Sequence, residues 1–107
     1  MRSALLTVTM CVGIAASAAA QDAKKGEQLF ADQKCSLCHS VGDKGNKKGP
    51  LDGVGAKLSA ADIKAWMTDA KGMTAKTKAT RKPDMKSYTL PADELDAIVA
   101  YMLSLKK

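Results

Sequence analysis

Cys35-Ser36-Leu37-Cys38-His39 is the stretch on which the reading of this chain turns. Two thiols three positions apart can each add to one of the two vinyl groups of a haem, forming thioether bonds. The histidine that follows directly is then held beneath the ring, where an imidazole nitrogen can bind iron. The pattern points to one haem c, covalently bound through Cys35 and Cys38, with His39 as an iron ligand. Other uses of these residues fit less well. A thioredoxin-like C-x-x-C sits in a βαβ setting, and nothing in this chain alternates like a strand. A structural zinc site wants four Cys or His ligands. Here Cys11 is the only other cysteine and His39 the only histidine.

Upstream of the motif the chain carries an export signature. Met1-Arg2 gives a positive start, an apolar run follows from Ala4 to Ala16, and Ala18-Ala19-Ala20 offers a small-residue A-x-A site. These are the parts of a secretory signal peptide. The apolar run is short of the roughly 20 residues that span a bilayer, and bulky Met10 argues against a lipoprotein signal at Cys11. Cleavage is expected after Ala20, which divides the chain into a signal, 1–20, and one domain, 21–107, in the periplasm. The mature chain then has 107 − 20 = 87 residues and two cysteines, both in the haem motif, so no disulfide framework is available. Losing Arg2 lowers the basic count from 17 to 16 against 11 acidic residues, a net +5. A domain of this size buries a modest core. A flat apolar cofactor can complete that core, which couples its uptake to folding.

The mature sequence reads as all-α. A first helix is expected from about Asp22 to Lys34, with Leu29 and Phe30 on its apolar side and Gly26 inside it. A glycine there costs roughly 1 kcal/mol against alanine, and is either simply tolerated or marks a close approach of another backbone or ring. Ser59-Ala60-Ala61-Asp62 reads as an N-cap and first turn. Ile63, Trp66, Met67 and Ala70 follow at helical spacing, and Gly72 offers a stop. A third helix is expected from Pro91 or Ala92 to Leu105, burying Leu95, Ile98, Val99, Met102 and Leu103, with Tyr101 beside that face. Residues 40–58, rich in glycine, and the basic stretch 71–90 read as loops.

The order of helix, C-x-x-C-H, glycine-rich loop, helix, methionine loop and C-terminal helix resembles class I cytochromes c. The pieces that carry the resemblance are Gly26 and Phe30, the haem motif, Gly49-Pro50-Leu51-Asp52-Gly53-Val54-Gly55, and Met85 before Leu95-Asp96-Ala97-Ile98-Val99-Ala100-Tyr101-Met102. It implies the cytochrome c fold, three main helices and irregular loops around one covalently attached haem. It implies that the first and last helices cross where Gly26 faces Tyr101. It gives Pro50 the carbonyl that accepts from the ring N–H of His39, and Met85 the sixth position on iron. Met73, just past the second helix, stays open as a competitor, while Met67 and Met102 lie on apolar stripes. Trp66 is expected in the core; in related proteins an aromatic donor reaches a haem propionate, a part open to Trp66 or Tyr88.

The implied function is that of a soluble electron carrier and not an enzyme, moving one electron at a time between larger redox proteins. Lys71, Lys76, Lys78, Arg81, Lys82 and Lys86, with Lys44, Lys47, Lys48 and Lys57, would present a positive face. Such a face is either plain solvated surface or steers a monomer to transient docking on acidic redox-partner proteins. Without aromatic interleaving, and in an exported chain, it does not point to nucleic acid, and nothing in the mature chain calls for stable membrane insertion. Two other readings remain: an open-coordination haem protein, gas-binding or peroxidase-like, and a dedicated haem subunit of one oxidoreductase complex.

Overall fold

The computed structural model describes residues 16–107, so residues 1–15 of the expected export signal lie outside the described residues. In chain order the described elements are α1 (Ala16–Asp32), a 3-10 turn (Cys35–Leu37), β1 (Ser40–Val41), β2 (Lys44–Gly45), α2 (Val54–Lys57), α3 (Ala60–Thr68), α4 (Ala70–Thr77) and α5 (Ala92–Ser104). The three expected helices are all present, as α1, α3 and α5. Helix α1 starts earlier than Asp22 and stops two residues sooner than Lys34.

Helices α1 and α5 cross at a glycine. Gly26 is buried, and a Cβ placed on it would run into the Ala97 carbonyl and come within 2.7 Å of the Tyr101 Cβ. The two backbones therefore meet at a distance that no other residue permits, and the conformational cost of a mid-helix glycine is offset by the packing it allows. Phe30, one turn on, sets its ring against Tyr101 at 5.9 Å between centroids and 80° between planes, the edge-to-face arrangement aromatic pairs prefer. Tyr101 is thus a core residue and not merely a neighbour of the buried face. Leu29, Leu95, Ile98 and Val99 continue this core, and Ile63 and Met67 of α3 join it. On the outside, Lys25 of α1 pairs with Asp93 of α5 at 3.1 Å. Both side chains are well exposed, so this pair adds little to the crossing.

Helix α3 begins as its sequence dictates. Ser59 is the N-cap, its hydroxyl accepting from the Asp62 N–H at 3.1 Å. Its end does not follow the expectation. The helix stops at Thr68, Asp69 breaks it, and α4 follows at once with Asp69 as its own N-cap, accepting from the Gly72 N–H at 3.1 Å. Gly72 is therefore in the first turn of a new helix and not a stop, and residues 71–77 are helical where a loop was expected. The reason is local: an aspartate can leave one helix and cap the next, and no glycine is required for that. Trp66 is a second correction. It is half-buried and lies outside the main core. The sequence also gave no hint of the short antiparallel pair, in which Ser40 faces Gly45 and Val41 faces Lys44 around a Gly42-Asp43 turn.

Among the described residues no helix is long and apolar enough to cross a membrane.

A test of the crossing is direct. Gly26→Val overpacks it and should lower stability by about 1–3 kcal/mol, read as a fall in the denaturant midpoint at unchanged slope. An unchanged midpoint would contradict the packing described above.

Candidate functional site

The C-x-x-C-H segment is wound, not extended. Lys34, two residues past α1 and directly before the 3-10 turn, is in the left-handed region, at φ 58 and ψ 34. From there the chain turns tightly: Leu37 N–H donates to the Lys34 carbonyl, and Cys38 and His39 N–H groups both donate to the Cys35 carbonyl, at 3.2 and 2.9 Å. With three residues per turn, a 3-10 segment eclipses positions i and i+3. Cys35 and Cys38 are thereby brought to one side of the turn, as two bonds to one flat ring require. Cys35 is half-buried and Cys38 exposed, and the two are not joined as a disulfide. Burial pushes the Cys35 thiol up, against the pull of its own backbone hydrogen bond and of Lys86.

A residue that the sequence reading passed over fastens this turn. Asn46 donates its backbone N–H to the carbonyls of Ser36 and His39, and its side-chain amide to that of Leu37 at 3.1 Å. An asparagine between loop glycines was the available signal, since it hydrogen-bonds nearby backbone in turns.

His39 is held by the loop that follows. Its Nδ1 lies 3.1 Å from the Gly49 carbonyl. A carbonyl only accepts, so Nδ1 carries the proton and Nε2 keeps the lone pair. This is the outer-shell contact that orients a metal-binding imidazole. Burial holds the His39 pKa below its ordinary value; the Gly49 bond opposes that shift and the Arg81 cation reinforces it. The neutral form, the one able to bind a metal, is favoured.

The acceptor corrects the assignment to Pro50. Gly49 provides the carbonyl, and Pro50 itself is exposed. The same Gly49 carbonyl also accepts from the Ser40 N–H at 3.1 Å, and the Leu51 N–H returns to the Ser40 carbonyl at 2.9 Å. Pro50 lies between these two bonds, beside Ser40, where its missing N–H leaves no donor unpaired. Ser40 is the buried polar residue of the described core. Gly49 must be glycine: a Cβ there would strike the Cys38 carbonyl and lie 2.9 Å from the Arg81 Cζ.

These parts border one cavity of about 640 Å³. Cys35, Cys38 and His39 line it, and so do Met85, Trp66, Tyr88 and Arg81, with Leu51, Leu58, Ile63, Met67 and Met102 among the apolar groups. The volume lies in the range of roughly 300–1,000 Å³ typical of cofactor sites. An apolar hollow with two paired thiols and an oriented imidazole in its wall fits a haem. Met85 lies in this wall, whereas helix α4 turns Thr74 into it and Met73 is not among the lining residues. Among the described residues no group of three or more His, Cys, Asp and Glu is placed to hold a metal ion.

The fold and this site define a small single-haem protein of the c type. The chain matches the family described as Cytochrome c over residues 23–106, most of its length, and it belongs to that family. Its size fits class I. It binds haem c covalently through Cys35 and Cys38, in keeping with its family, and the domain is one for haem-based electron transfer. Neither the curated proteins nor the solved structures yielded a match.

Gly49→Val should displace the Cys38 carbonyl and Arg81 and with them the His39 acceptor. The yield of covalent holoprotein, measured as the pyridine haemochrome, should fall severalfold. A yield equal to wild type would contradict the role given to Gly49.

Proposed function

We propose that this chain is a soluble periplasmic electron carrier that moves single electrons between larger redox proteins, with His39 and Met85 as the two axial ligands. The observation that carries the reading is the shared cavity wall: the paired thiols, an imidazole with Nε2 free, and one thioether border a single apolar hollow. When bound, haem c supplies a one-electron ferrous–ferric couple. Two protein ligands leave no open position for a substrate, and a thioether favours the ferrous state and raises the potential. The wall holds no spare imidazole for proton transfer, because His39 is the chain's single histidine. The reading is therefore of a carrier without an enzymatic activity of its own.

The distribution of charge supports transient docking by a monomer. Lys71, Lys76, Lys78, Arg81, Lys82 and Lys86 are exposed, as are Lys44, Lys47, Lys48 and Lys57. Arg81 and Lys86 also border the cavity. Their field would raise the encounter rate with acidic surfaces on redox partners. The contributions are unequal. Lys82 is neutralised in part by Asp84 at 2.8 Å, whereas Lys86 sits 5.0 Å above the Tyr88 ring and makes no ion pair among the described residues.

Met85→Ala should open the sixth position, lower the reduction potential and let carbon monoxide bind the ferrous protein promptly; Met73→Ala should do none of these. The phenotype appearing in Met73→Ala instead would move the ligand to α4.

The bimolecular electron-transfer rate with an acidic redox protein should fall as ionic strength rises, and Lys86→Gln should flatten that dependence. A rate indifferent to salt would leave the lysines as solvated surface only.

A further inference from the structure

The segment that carries Met85 has no helix or strand of its own. Residues 78–91 run between α4 and α5 without either. Between its ends, which bond to α4 and α5, two adjacent hydrogen bonds fasten it, and both go to the α3–α4 joint. The Tyr88 N–H donates to the Met67 carbonyl at 2.7 Å. The Ser87 hydroxyl accepts from the Ala70 N–H at 2.9 Å, across 17 positions of sequence.

The second bond is the unusual one. Ala70 opens α4 and is 0% exposed. Its amide is one of the first four of the helix, which have no acceptor within the helix. Asp69, the N-cap, gives its carboxylate to Gly72. A buried donor cannot turn to water, and leaving it unpaired costs its full desolvation. The Ala70 amide is instead satisfied by a residue of the methionine loop. Met85 is two residues from that hydroxyl, and a chain spans at most about 3.6 Å per residue. The thioether cannot move far while Ser87 stays in place.

We propose that Ser87 is a positioning residue for Met85: by taking the buried Ala70 amide it fixes the loop to the start of α4 and holds the thioether in the cavity wall. The inference rests on Met85 being the iron ligand. Opening of the loop, with the rest of the protein folded, then requires the Ala70 amide to lose its partner, so the bond sets how often the sixth position is exposed.

The alternative is that Ser87 is only one more helix cap. Ser59 provides the comparison, because it makes the same hydroxyl-to-amide bond at the start of α3 and does not border the cavity. The test uses ferric holoprotein mixed with excess imidazole, with the rate of imidazole uptake as the readout. Ser87→Ala should take up imidazole about tenfold faster than wild type, equivalent to ~1.4 kcal/mol. Ser87→Thr, which keeps the hydroxyl, should restore the slow rate. Ser59→Ala should lower the denaturant midpoint and leave the rate unchanged. Equal rates in Ser87→Ala and wild type, or in Ser87→Ala and Ser59→Ala, overturn the inference. Wild-type uptake as fast as that of Met85→Ala removes the ligand reading and this inference with it, whereas slow wild-type and slow Ser87→Ala uptake remove this inference alone. Wild type gives an independent readout should Ser87→Ala fail to fold. Displacing Met85 with imidazole should speed hydrogen exchange at the Ala70 amide by about tenfold, as reciprocal coupling demands. Unchanged exchange there contradicts the link.

Discussion

The close approach of α1 and α5 at Gly26 is the constraint from which the rest follows. With no Cβ at that position, the Ala97 backbone and the Tyr101 side chain come up against α1 itself. That contact fixes where α1 ends, and the end of α1 is where the Cys35–Leu37 turn begins. It also fixes α5, whose Met102 reaches through to the cavity wall. One glycine thus sets the cysteine pair and the floor of the cavity in a common frame. The edge-on contact of Phe30 with Tyr101 then locks the rotation of the two helices about each other.

The two long connections are organised by hydrogen bonds to that frame. Residues 40–53 wrap the His39 side through Gly49, whose carbonyl serves both the Ser40 amide and the His39 ring. Residues 78–91 lie against the α3–α4 joint through Ser87 and Tyr88. Arg81 links the two, since its guanidinium packs on Gly49 while its own segment leads to Met85. In a chain with so small a core, an apolar cavity of this size is itself a cost, and filling it with a covalent ring completes the packing. Haem retention and stability are for this reason one property of the molecule.

The helices that cross, and the motif that binds, were legible in the sequence because their signals are local. The C-x-x-C-H spacing, the Ser59 cap and the apolar stripe of α5 each lie within a few turns of chain. Gly26 was legible as an anomaly, a residue whose cost asked for a partner. What was hidden had other causes. The Asp69 cap is local, accepting from Gly72 three residues on, but a glycine at that place reads equally as a stop, so α4 read as loop and Met73 as a competitor on it. The carbonyl opposite His39 moved by one residue, from Pro50 to Gly49, because backbone register is set by the Ser40–Leu51 pairing and not by side-chain identity. Trp66 fell on a perfect stripe with Ile63 and Met67, and all three line the cavity, yet only Ile63 and Met67 are also buried in the core while Trp66 stays half-buried.

The central claim is that iron in this protein is closed by two side chains of the chain, His39 and a methionine. The absorption spectrum of the purified ferric holoprotein tests it most directly. Low-spin bands together with a weak far-red charge-transfer band from thioether sulfur to ferric iron are the predicted result. A high-spin ferric spectrum without that band would contradict it and would place the protein among haem proteins with an open site.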